Sequence, residues 1–187
     1  MRAFICTFLT CCCFGAGYIP LRQSGAIAFE ARPGGYVSHG RGYALSLAPD
    51  GAILHVGGHR VRMAVAGANP RPSLQALDPM PGKANYIFGA ARASYDLYGR
   101  VRWRGVYPGI DVEFHGNQEY LEYDFEIAPR RDPRHIQLAF DGVDGMRIDA
   151  SGDLLLRAGA LEIRQPKPLA YQIVAGKKQP VDAAYWI

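Results

Sequence analysis

The chain has 187 residues, 49% of them apolar, with 21 Lys and Arg against 17 Asp and Glu for a formal net charge of +4. That length is enough to bury one sizeable core, and a single domain is the natural expectation. The bases are scattered, with no Lys/Arg stripe interleaved with aromatics, so nothing points to nucleic acid as a partner.

Met1 and Arg2 lead into AFICTFLTCCCFGAG, an apolar run of signal-peptide length that is too short to span a bilayer. YIPLRQSG follows as a polar region, and Ala26-Ile27-Ala28 fits the small-x-small pattern of signal peptidase substrates. Residues 1–28 are therefore expected to be a signal peptide, with a buried N-terminal strand as the alternative. Export to the cell surface or medium follows, with membrane contact only through this segment. Cys6, Cys11, Cys12 and Cys13 all lie in the run, without the spacing or polar surround of metal ligands. Arg2 and Arg22 are the only charges before Phe29, so cleavage leaves a cysteine-free domain at 29–187 with a balance of +2.

From Phe29 onward the pattern is short strands and turns. Tyr36-Val37-Ser38 lies between Gly34-Gly35 and Gly40-Arg41-Gly42. Tyr43 to Leu47, Ala52 to Val56 and Arg60 to Val65 read as strands, separated by Pro49-Asp50-Gly51 and Gly57-Gly58. Gly67 to Lys83 is rich in proline and reads as a long loop wrapping a sheet edge. Ala90 to Ser94 has the makings of a single helical turn.

Residues 101–129, VRWRGVYPGIDVEFHGNQEYLEYDFEIAP, read as three antiparallel strands. Ile110, Val112 and Phe114 alternate with Asp111, Glu113 and His115; Leu121, Tyr123, Phe125 and Ile127 alternate with Glu122, Asp124 and Glu126. Gly116-Asn117-Gln118-Glu119 supplies one turn and Tyr107-Pro108-Gly109 the other. The pairing crowds Asp111, Glu113, Glu122 and Asp124 on one face, where like charges opposed across strands are destabilising. Arg102 and Arg104 on the neighbouring strand are the simplest compensation. A bound calcium ion held by those four carboxylates is the alternative metal site, and a glycosidase-like acid pair is a third. The stretch from Tyr98 to Ile127 is expected to be the structural centre.

Beyond it, Ile136 to Phe140, Met146 to Asp149, Leu154 to Arg157, Leu161 to Arg164, Ala170 to Val174 and Ala183 to Ile187 read as strands, with Pro166, Pro168 and Pro180 between the last of them. Asp141, Asp144, Asp149 and Asp153 sit beside Gly or Ser, where Asp ordinarily closes turns. His39, His55, His59, His115 and His135 are dispersed, and there is no nucleophile elbow, zincin helix or phosphate loop. Trp103, Tyr107, Tyr120 and Trp186 are candidates for a sugar-stacking platform.

Five stretches carry a resemblance: FEA at 29–31, GRGYALSL at 40–47, GANPRPSLQALDPMPGKANYIFG at 67–89, the 101–129 run, and RQPKPLAYQ at 164–172. Together they resemble the N-terminal domain of large secreted or surface bacterial proteins that go on to carry β-propeller-type (SBBP) repeats. The resemblance implies an all-β extracytoplasmic domain with no catalytic residues to carry over. Its neighbours would be other domains or repeats of a larger extracellular assembly, or cell-surface components. It implies repeats after Ile187, so this chain is expected to be a fragment, a truncated gene product or a stand-alone copy. Arg32-Pro33-Gly34 is shorter than the Asn-Gly-Gln stretch usual after FEA in that family. The expected fold is an all-β sandwich or strongly curved two-sheet structure. The expected function is a non-catalytic structural or interaction module without a cofactor, the alternatives being a carbohydrate- or calcium-binding module and a hydrolase.

Overall fold

The computed structural model describes residues 3–11, 27–40, 42–117 and 120–187, with backbone alone for 3–11 and Asn117. Cys12, Cys13, the polar region up to Ala26, Arg41 and the turn residues Gln118 and Glu119 lie outside the described residues. The strands are β1 (Ala3–Cys11), β2 (Phe29–Arg32), β3 (Gly35–Gly40), β4 (Tyr43–Ala48), β5 (Gly51–Val56), β6 (His59–Val65), β7 (Ser73–Phe88) and β8 (Ala91–Tyr107). They continue as β9 (Ile110–Asn117), β10 (Tyr120–Ile127), β11 (Leu138–Asp141), β12 (Gly145–Ile148), β13 (Leu154–Ala158), β14 (Leu161–Gln165), β15 (Leu169–Val174) and β16 (Lys177–Val181). A single 3-10 turn, Pro133–His135, breaks the pattern among the described residues. All the pairings are antiparallel, and the main sheet curls into a half-barrel with small sheets attached.

Alternation builds the wall. In β4, Tyr43, Leu45 and Leu47 are buried while the residues between them are half-exposed, as a sheet with one wet face requires. Gly57 and Gly58 join β5 to β6 with φ of 55° and 79°, the double positive φ of a two-residue hairpin turn that matches strand twist. The order β11-β6-β5-β4-β3-β2-β8-β9-β10 then runs around the half-barrel, and β10-β1-β14-β13-β12 completes the path.

The concave side holds the core. Trp103, Phe114, Tyr123 and Phe125 pack in a row across β8, β9 and β10, with Trp103 and Phe114 edge to face at 4.8 Å between centroids. Trp103 is 2% exposed. It is a core residue and no part of a sugar platform, because Val101, Trp103, Val112 and Phe114 share the inward face of the β8–β9 ladder. Tyr107 is half-buried and its hydroxyl donates to the Ala66 carbonyl, so of the four expected aromatics only Trp186 is strongly exposed.

Three local expectations fail. The expected loop through Lys83 is strand from Ser73 onward, paired along nearly its whole length with β8. Pro79 and Pro81 are accommodated because β7 pairs with no other described strand, so the missing N–H groups fall on an outer edge, with a register shift between Pro79 and Lys83. The expected helical turn at Ala90 is the tip of the same hairpin, with positive φ at Gly89 (61°). Finally, the closing strand is Lys177–Val181, with Pro180 inside it opposite Tyr171, and Ala183 to Ile187 is not strand.

Candidate functional site

On the convex face of β8–β10, the four candidate metal ligands do not converge on a shared position. Arg102 stands opposite Glu113 in the β8–β9 register and donates to Glu113 from Nε at 3.0 Å and from its terminal nitrogen at 2.6 Å. The same guanidinium reaches Glu126 at 3.1 Å and Asp111 at 4.0 Å. Arg100 donates to the other Glu113 oxygen at 2.7 Å and to Asp78 at 2.5 and 3.0 Å. Asp111 also accepts from the Gly105 N–H at 2.7 Å.

Asp124 takes a different partner. It lies 3.2 Å from His115 Nε2, and both are about four-fifths buried. Glu122 follows the expected outward alternation, yet it is only 2% exposed. The polar face of β10 is covered there.

Arg102 and Arg100 thus offset the charges of Glu113, Glu126 and, at longer range, Asp111, while Asp124 pairs with His115. Arg104, the expected second compensator, sits at the register shift between Trp103 and Tyr107, opposite Ser73 on β7. Arg100 takes its place. Burial pulls the Arg102 pKa down, but the Glu113 hydrogen bond and the charges of Glu113, Glu126 and Asp111 outweigh it and hold the pKa above its ordinary value. Burial likewise acts to discharge His115, and it is outweighed by the Asp124 hydrogen bond and the charges of Asp124, Glu122 and Glu113, which raise its pKa. Among the described residues no group of three or more His, Cys, Asp or Glu side chains is arranged to hold a metal ion.

Sequence reasoning missed a second polar cluster. Glu30, 8% exposed, accepts from Arg32 at 2.5 and 3.1 Å and from the Tyr86 hydroxyl at 2.7 and 2.9 Å. The Arg32 guanidinium lies 4.4 Å from the Tyr86 ring centroid and 3.7 Å from that of Tyr95, within cation–π range of both. This clamp ties the β7–β8 hairpin to β2, beneath a tip that exposes Ile87 and Phe88. The available signal was Glu30 lying between the apolar Phe29 and Ala31 in the FEA motif.

The four aspartates of the C-terminal hairpins do serve turns or ion pairs. Asp149 accepts from the Ser151 and Asp153 N–H groups, Asp144 from the Gly159 N–H, Asp153 from Arg164 and the Lys167 N–H, and Asp141 pairs with Arg62. Among the described residues, two clefts are of a size to consider. One, of about 590 Å³, lies between Phe125, Phe140 and the segment 182–187 and includes a single acidic side chain, Asp182. The other, of about 630 Å³, lies beside β7 and includes Asp78, bridged to Arg100. A glycosidase pair needs two facing carboxylates, and neither cleft offers one.

Fold and site together define an all-β half-barrel whose charged side chains mainly hold strands to one another. A family model described as a domain of unknown function, DUF7948, matches residues 23–187. The chain belongs to that family. No curated protein and no solved structure matches it.

Proposed function

We propose that the chain is a non-catalytic structural or interaction module, exported by its N-terminal segment and working as the N-terminal domain of a bacterial surface or secreted protein of the SBBP-repeat type. Its partners would be other domains of that assembly or cell-surface components, and it would use no cofactor. The observation that carries the reading is the mutual pairing of the acidic hairpin face, with Glu113 bridged by Arg100 and Arg102 and Asp124 by His115. Carboxylates bound in this way stabilise the sheet and are not free to gather round calcium or polarise a substrate. The export part rests on the apolar run at 3–17 and the Ala26-Ile27-Ala28 pattern.

A thermal melt of the full chain with calcium and then with a chelator tests the first part. A cooperative transition that does not move is expected; a rise with calcium turns the acidic face into a metal site. Export is tested by the N-terminal mass of protein recovered outside the cytoplasm, expected to begin near Phe29. Recovery of intact chain only in the cytoplasm overturns it.

A further inference from the structure

One strand joins the half-barrel to the rest of the molecule. β1 pairs with β10 along seven register positions, from Ala3 opposite Ile127 to Leu9 opposite Leu121. Its other edge pairs with β15 through Ala3 to Cys6 and with β14 through Thr10 and Cys11. Among the described strands, no other backbone pairing connects β10 to β14 or β15. Yet β1 lies within the segment read as a removable leader, and outside residues 23–187, the span shared with the family. The walls of the slot belong to the family domain, and the strand in it does not.

Burial shows that β10 is no ordinary edge. With β1 in place, Leu121, Glu122 and Tyr123 are each 2% exposed, so both faces of the strand are covered at that level. A strand in such a position reads as a continuous apolar run. Ala3–Cys11, AFICTFLTC, has no charge in nine residues. The walls are also tied without β1, since the Tyr123 hydroxyl of β10 donates to Gln165 Oε1 of β14 at 2.8 Å, with Gln165 fully buried. The slot is therefore built into the domain, and leaving it empty strips partners from a row of backbone groups on β10, which is costly for a buried strand.

We propose that the space between β10 and β14/β15 is a strand-acceptor slot: the leader fills it in the uncleaved chain, and after cleavage an uncharged apolar strand of another polypeptide takes its place, antiparallel to β10. Main-chain hydrogen bonding supplies the affinity in this mode, and the apolar pattern supplies the selectivity. The proposal rests on the export reading, because only removal of the leader opens the slot to a partner.

The test uses the full chain carrying a specific protease site between Gly15 and Gly25. The protein is cut, the leader fragment is removed under mild denaturant, and amide exchange is followed at Tyr120 to Ile127. The probe is a synthetic peptide of residues 3–11 with both cysteines replaced by Ser. Exchange at β10 is expected to rise about tenfold or more after removal. The peptide should restore protection, and its Ile5→Asp form should not. Full protection of β10 in a monomeric cut chain after the fragment has gone overturns the proposal, as does failure of the peptide to bind an exposed β10. If the cut chain unfolds, refolding on adding the peptide supports the slot and no refolding overturns it. Dimerisation of the cut chain with β10 protected replaces the proposed partner by a second copy. Failure of export is read separately, from an intact N-terminus in protein isolated from cells; the exchange experiment does not depend on it.

Discussion

The β8–β9–β10 meander and the β10–β1–β14 seam are both antiparallel ladders, but they are closed by different means. In the meander, each strand reaches its partner through a short turn, the aromatic row fills the inner face, and Arg100, Arg102 and His115 pair with carboxylates of the outer one. At the seam, β1 meets strands more than a hundred residues away, and its join to β10 and β14 depends on ordering a segment that lies beyond the family domain. A ladder closed by local turns carries its own specification. One closed across the chain depends on which segment is present.

Removing the inner face of the meander should have the largest effect. Phe125→Ala, at a site 2% exposed, is expected to cost about 3–5 kcal/mol in chemical denaturation, and Trp103→Ala a loss of the same size. A loss under about 1 kcal/mol would place the strand one residue out of register. Next comes the outer face. Arg102→Ala leaves Glu113 and Glu126 with fewer donors and should cost about 1–3 kcal/mol. Arg102→Lys should recover only part, because an ammonium cannot reproduce the forked contact with Glu113; equal stability of the two variants would show that charge alone matters.

Glu30→Gln tests a region outside both ladders. It keeps the shape and removes the charge between Arg32 and Tyr86. The expected cost is about 1–2 kcal/mol, with faster amide exchange confined to Tyr86 to Tyr95. Uniformly faster exchange would mean that the clamp supports the whole sheet.

The smallest effect is the pH dependence from His115. Its pKa is raised in the folded state, so its contribution is complete below the ordinary histidine value of 6.5 and is lost as pH rises through the higher folded value. The melting temperature of the wild-type protein should therefore fall more between pH 6 and pH 8 than that of His115→Gln. Parallel profiles would remove the charged pair with Asp124.

The meander was legible because its physics is local. Period-two alternation placed Ile110, Val112, Phe114, Leu121, Tyr123, Phe125 and Ile127 on the core side, and all seven are buried. The need for arginine against the carboxylates was legible too, though the register shift after Trp103 brought in Arg100 in place of Arg104. β7 was misread because its prolines signal a loop, and only its position as an outermost strand explains how the ladder tolerates them. The role of Glu30 was not legible because its partner Tyr86 lies 56 residues away.

By itself, the sequence determined the all-β class, the hairpins with their turns, and the inward face of each central strand, since these follow from side-chain alternation and from glycine and proline dihedral preferences. Tertiary structure alone decided which strands became neighbours across long separations, which of two nearby arginines met Glu113, and how β1 came to lie between β10 and β14. Those outcomes depend on how the sheet curls and on which edges remain unpaired, and no short-range pattern records either.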